Sequence, residues 1–382
     1  MITQINVLRV LAAFSIIAIH VTSGQAAVNA GAYWVNQLTR FASPLFVVMS
    51  GMVLAANECK RPSPSLGVFY RKRFLRVLIP YVFWSFLYEL YTLWSQGLLF
   101  DGATIQAVLR EQFPRDLFCG TAFVHLYFIL IMVQLYVLFP FLFRFLAVCP
   151  RTVLAAAFSL SAAMQGLIYA HQLGVLTLPR LPVPYAALFL PWLFYFVLGM
   201  AVMVYEEKWQ EMWRKPARHM AVVLMWPLSF WLFAVDGLLS GTYAVSIKPS
   251  AFVYGIVTFL LFYLILFVWL PERMWERGQK AWRYFAQMSF LYYLVHPLIM
   301  QSLVKASERY GGASLFHGGK GVCLLYVLTL FGTLLTSWLV DRLPFSYWLG
   351  GRRKTLSRET GSGVPTSASY GIPFGKGEGF DK

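Results

Sequence analysis

Ten stretches of about twenty residues in this chain are long and apolar enough to cross a bilayer, and no other feature constrains the fold as much. They fall near 5–24, 38–56, 77–95, 124–143, 152–171, 185–205, 219–238, 251–270, 285–304 and 321–341. In lipid a backbone must satisfy its own polar groups, so runs of this length become helices. The expected fold is all-α: a polytopic membrane protein with about ten transmembrane helices. With 59 % hydrophobic and 13 % charged residues over 382 positions, a soluble globular domain is excluded.

A formal charge of +16 would point to nucleic acid in a soluble chain, but here the basic residues segregate by loop. Counted over alternate connections, 57–76, 144–151, 206–218, 271–283 and the stretch from 342 onward carry 23 Lys and Arg, against eight on the other set. That alternation agrees with ten spans, places both termini in the cytoplasm and assigns the basic loops to topology and lipid contact, with no nucleic-acid partner. Residues 1–343 are read as one transmembrane domain and 344–382 as a cytoplasmic tail; from 355 the tail is rich in Gly, Ser and Pro and is expected to be disordered. The longest outer connection, 96–123, mixes charged and apolar residues in the manner of an amphipathic helix lying along the interface and covering a cleft. Four scattered cysteines imply neither a disulfide framework nor a metal site.

Against this background the first span, LRVLAAFSIIAIH, places Arg9 near one end and His20 near the other. Eleven residues is three turns plus about twenty degrees, so the two share a helix face, roughly 16 Å apart along the axis. They cannot touch. Each alone has a bland explanation: Arg9 snorkels to the headgroups, and His20 bonds a neighbouring helix. As a pair on one face they suit a cavity or substrate path, with a histidine able to take a proton and an arginine able to hold a phosphate.

Other polar residues recur at span ends. Arg71, Lys72, Arg73 and Arg76 lead into the third span; they form either a positive-inside anchor or, through the Arg73 and Arg76 spacing, a phosphate clamp on one face. Ser50 and Gly51 lie inside FASPLFVVMSGMVLA, where small residues permit close helix approach. His125 and Tyr127 open the fourth span, and Ser289 and His296 share a face of the ninth. Taken singly, each histidine is explained by an interhelical hydrogen bond; together with Ser50, Tyr127 and Ser289 they are candidates to line a cavity. HExxH, GxSxG, Walker and Rossmann motifs are all absent from the sequence.

Taken in order, LRVLAAFSIIAIH, PLFVVMSGMVL, RKRFLRVLIPY, HLYFILIMVQLYVLFP and MSFLYYLVHPLIM resemble the integral-membrane acyltransferase 3 family over about residues 5–343. The resemblance implies a ten-helix enzyme of a bacterial inner (plasma) membrane that moves an acyl group, most often acetyl, from cytoplasmic acyl-CoA to a carbohydrate hydroxyl at or beyond the outer face. His20 matches the family's essential histidine, Arg9 its paired arginine, and Arg73 and Arg76 its RxxR element on the CoA side, with Lys72 beside them. Acetyl-CoA, or another acyl-CoA, is then a co-substrate, with no permanently bound cofactor; the partners are a carbohydrate or glycolipid acceptor and membrane lipids. Two positions depart from the pattern: Asn6 stands where many members have Asp, and Met52 where an aromatic is usual. An extracellular SGNH hydrolase domain, present in some relatives, is not expected.

On that reading His20 acts either as general base on the acceptor hydroxyl or as a covalent acyl carrier. A transporter or flippase for a glycan or lipid-linked intermediate, with Arg9 and His20 binding substrate or relaying protons, is the competing expectation.

Overall fold

The computed structural model describes residues 2–352 except 244, 272–273, 275–277 and 313. It is helical, with no strand among the described residues. Helix α1 (Ile2–Ser23) is the hub. It packs against α2 (Ala30–Thr39), α3 (Ala42–Lys60), α13 (Gln279–Arg309) and α14 (Gly318–Arg342). Its apolar residues face neighbours almost all round, Leu8 and Ala12 being fully buried. A helix enclosed in this way gives any polar side chain on it a protein partner or a cavity.

The remaining elements are α4 (Leu66–Ser95), the short α5 (Gly102–Ala107) and α6 (Phe113–Cys119), α7 (Tyr127–Val148), α8 (Pro150–Gln172), α9 (Leu193–Val204), α10 (Glu206–Met212), α11 (Pro216–Ser240) and α12 (Pro249–Tyr263). Among the described residues seven helices are long and apolar enough to cross a membrane, and eight if α9 and α10, bent by 96° at Tyr205, are one span. Helices α4 and α13, of 30 and 31 residues, carry basic residues, α4 toward its N-terminal end and α13 at both ends, and are each roughly 45 Å long.

Two expectations need amendment. The run 185–205 is not one continuous span: Pro184 and Pro191 sit among short 3₁₀ turns, leaving α9 only twelve residues. That is about 18 Å, well short of a hydrocarbon core. Its hydropathy reflects burial instead, for nine of its twelve residues are enclosed by protein. Second, residues 344–352, read with the tail, are packed: Ser346–Leu349 form a 3₁₀ turn against α4, and Arg352 pairs with Asp341 at 2.9 Å. The compact unit thus runs to Arg352. The expectation for the tail from 353 onward lies outside the described residues.

The connection 96–123, expected as an amphipathic helix, is helical without a break over 102–119, as α5, a single π turn and α6. It is tied to α4 by the Tyr81 hydroxyl, which donates to the Leu117 carbonyl at 2.5 Å. Gly120 ends α6 at φ +71°, and a Cβ there would lie 2.8 Å from Cα of Tyr127, so only glycine allows the chain to turn back so tightly into α7. That turn sets the position of His125.

Candidate active site

Three histidines distant in sequence meet at the C-terminal end of α1. The ring of His20 lies 5.0 Å from that of His296 and 6.4 Å from that of His125, and His125 and His296 are 5.7 Å apart, centroid to centroid. His125 and His296 are 2 % and 0 % exposed, whereas His20 keeps part of its surface accessible. No hydrogen bond to the His20 ring occurs among the described residues, and both nitrogens of His125 are buried without a partner. Unsatisfied buried nitrogens are costly, and one that persists marks a place where something else is bound.

The local sequence accounts for the attitude of His296. Pro297 has no N–H to give to the Tyr293 carbonyl four residues back, so this turn of α13 has carbonyl capacity to spare. Nδ1 of His296 lies 3.0 Å from the Tyr292 carbonyl, with that of Tyr293 also within reach. A ring nitrogen facing a carbonyl must carry the hydrogen, which leaves Nε2 as the bare, basic nitrogen. That Nε2 is buried without a partner. Tyr293 donates its hydroxyl to the His125 carbonyl, and its ring lies 5.0 Å from that of His125; Tyr88 approaches His125 from the opposite helix at 5.2 Å.

A residue that sequence reasoning missed completes this end. Arg40, counted among loop charges, is buried at the joint of α2 and α3 with 6 % exposure. Its Nε donates to Asn36 Oδ1 and its Nη1 to Ser246 Oγ, both at 2.9 Å. Asn36 in turn donates to the Ile19 carbonyl at 3.0 Å and to Thr22 Oγ1 at 2.9 Å, on either side of His20. The charge of Arg40 reaches both His20 and Tyr127. The signal was present in the i, i+4 spacing of Asn36 and Arg40 just ahead of an apolar run. Lys248, also counted with the loops, is likewise buried, 3.3 Å from Asp236 and 4.9 Å from the Phe233 ring. Burial lowers the Lys248 ammonium, with Asp236 opposing that shift. This ion pair ties down the loop that carries Ser246.

The N-terminal end of α1 has a different character. Arg9 lies among Tyr136, Arg73 and Arg76 and makes no hydrogen bond or ion pair among the described residues. Arg76 is already engaged: its Nη1 donates to the carbonyls of Tyr347 at 3.0 Å and Gly351 at 2.5 Å, and its guanidinium stacks 4.5 Å above the Tyr347 ring. Arg73 touches only the Phe69 ring, at 5.8 Å, and Lys72 points outward. Ser50 bonds the Phe46 carbonyl at 2.9 Å and faces Tyr136, so it belongs to this end. Tyr127 belongs to the histidine end. Ser289 is not brought in, because its buried hydroxyl is spent on the Ala286 carbonyl at 2.8 Å. Among the described residues no three His, Cys, Asp or Glu are placed to hold a metal ion.

A helical membrane protein with a cluster of imidazoles at one end of a central helix and uncompensated guanidinium groups at the other belongs to the class of intramembrane enzymes or carriers. The comparison with known families is decisive between them: the acyltransferase 3 family, described as an acyltransferase domain, matches residues 2–342. The chain belongs to that family and is a membrane acyltransferase. No curated protein and no solved structure matches it.

Proposed function

We propose that this protein transfers an acyl group, acetyl in the first instance, from cytoplasmic acyl-CoA to a hydroxyl of a cell-envelope or extracellular carbohydrate in a bacterial inner membrane. The observation that carries the reading is the division of labour along α1: free guanidinium groups of Arg9 and Arg73 at one end and three converging imidazoles at the other, roughly 16 Å apart by helix rise. An extended pantetheine arm is of that order. CoA phosphates held at Arg9, Arg73 and Lys72 would deliver the thioester to His20. A cleft of about 160 Å³ between Ser65 and Phe143, edged by Phe69, Arg144 and Glu58, opens one turn before Arg73 and offers aromatic rings and one guanidinium to the nucleotide.

At the histidine end His20 takes the proton of the acceptor hydroxyl as its oxygen attacks the thioester carbonyl, and returns it to the departing CoA thiolate. His296, held with a bare Nε2, and His125 supply neighbouring sites for that proton. The test uses the purified full-length protein. Acetyl-CoA is expected to raise its melting temperature in a concentration-dependent way, the stabilisation reaching about 2.7 kcal/mol at a hundred times Kd, and Arg73→Ala is expected to abolish the shift. His20→Ala is expected to keep the shift and to lose transfer of labelled acetyl to the carbohydrate fraction of membranes. No response to acetyl-CoA, succinyl-CoA or CoA would overturn the acyl-CoA reading of the donor.

A further inference from the structure

We propose that Arg40 is a catalytic residue, its guanidinium donating to the oxyanion that forms on the thioester carbonyl during transfer, an assignment that rests on the acyl-CoA reading above. Four observations carry it. The side chain is buried, yet among the described residues no carboxylate lies within ion-pair distance of it, so no acid offsets its charge. Its two hydrogen bonds go to neutral groups, Asn36 and Ser246, and Nη2 is left without one. Asn36 is anchored to the α1 backbone beside His20, so the guanidinium sits two hydrogen bonds from the helix turn that carries the proposed base. The loop that carries Ser246 is held at two further points: Gln37 donates to the Tyr243 carbonyl at 3.0 Å, and Lys248 pairs with Asp236.

A cation used only for packing would be matched by an acid, because an unpaired buried charge is costly. A fixed cation with one free N–H edge beside a base is the arrangement that stabilises charge appearing only during the reaction. The acceptor O–H gives its proton to the imidazole while the oxygen bonds to the carbonyl carbon. The C=O π pair moves onto oxygen, where the Arg40 N–H meets it. Collapse restores C=O, breaks C–S and sends the imidazolium proton to the CoA sulfur.

The experiment measures binding, so it is independent of the acceptor. The probes are CoA, acetyl-CoA and S-(methylphosphonyl)-CoA, in which a tetrahedral phosphorus bearing an anionic oxygen is bonded to sulfur where acetyl-CoA has its carbonyl carbon. Wild-type protein is expected to bind the phosphonate at least about tenfold more tightly than acetyl-CoA, as transition-state mimics do. Arg40→Gln is expected to lose that preference while its affinity for CoA is unchanged. Should Arg40→Gln fail to fold, Arg40→Lys carries the test, since it keeps the charge and loses the fork. An undiminished preference for the phosphonate in the variant, with CoA still bound, overturns the assignment of Arg40 alone. Wild-type protein that binds none of the three probes overturns the acyl-CoA reading and this assignment with it.

Discussion

Arg73 and Arg76 stand three residues apart on α4 and would be taken from sequence as one element, yet the fold gives them different work. Arg76 donates to the carbonyls of Tyr347, Gly350 and Gly351, and so fastens the segment after α14 to α4. Arg73 has a ring contact and no hydrogen bond among the described residues. Arg76→Ala is therefore expected to destabilise the protein by about 1–3 kcal/mol, the cost of orphaned buried acceptors. Arg73→Ala is expected to alter stability by less than about 0.5 kcal/mol while weakening donor binding. Thermal or chemical unfolding of the two variants, each with and without acetyl-CoA, separates the roles; equal loss of stability in both would refute the division. Residue identity and spacing made Arg9, His20, Arg73, His125 and His296 legible, because ionisable groups in apolar runs stand out. The partner of each was not legible. Whether a guanidinium meets a carbonyl or a cavity depends on segments 270 residues away, and Arg40 was hidden because a short polar interval reads as a loop.

At the scale of elements the closest approach in the molecule is that of α3 and α9. A Cβ added to Gly51 would strike the Phe196 carbonyl, and one added to Gly199 the Val48 carbonyl, so each glycine seats the other helix's backbone. In lipid, where apolar burial gives little drive to associate, such backbone contact is a main source of cohesion. Gly199→Ala has no flexible neighbour to displace and is expected to cost about 1–3 kcal/mol as overpacking, measured as a lowered melting temperature in detergent. Gly166→Ala, in α8 with open space around the added methyl, serves as the control and should leave stability nearly unchanged. The small residues at 50 and 51 were legible as a contact in the sequence, but the partner helix was read as part of one continuous span over 185–205, which the 3₁₀ turns interrupt. Hydropathy cannot distinguish a residue facing lipid from one enclosed by protein, and α9 is the enclosed case.

For the whole molecule, the charge segregation and the packing lead to a single orientation. Basic residues cluster over 57–76, with Arg144 and Arg151 flanking the turn from α7 to α8, at the same end as Arg9, Arg73 and the segment held by Arg76. If that end faces the cytoplasm, as loop charge predicts, the proposed acyl-CoA donor would enter from the cytoplasm and the histidine cluster would lie toward the far side, with the proposed acceptor. The cysteines test this without mutation of the site. Cys59 and Cys149 are exposed near the ends of α3 and α7, whereas Cys119 is buried, with its thiol on the Pro182 carbonyl. A membrane-impermeant maleimide is expected to label Cys59 and Cys149 in inverted vesicles but not in intact spheroplasts, and to reach Cys119 only after unfolding. Labelling of Cys59 or Cys149 from outside would invert the molecule, placing the Arg9 end away from the acyl-CoA pool. A donor entering at Arg9 and an acceptor waiting at His20 could not then be reconciled with one passage along α1.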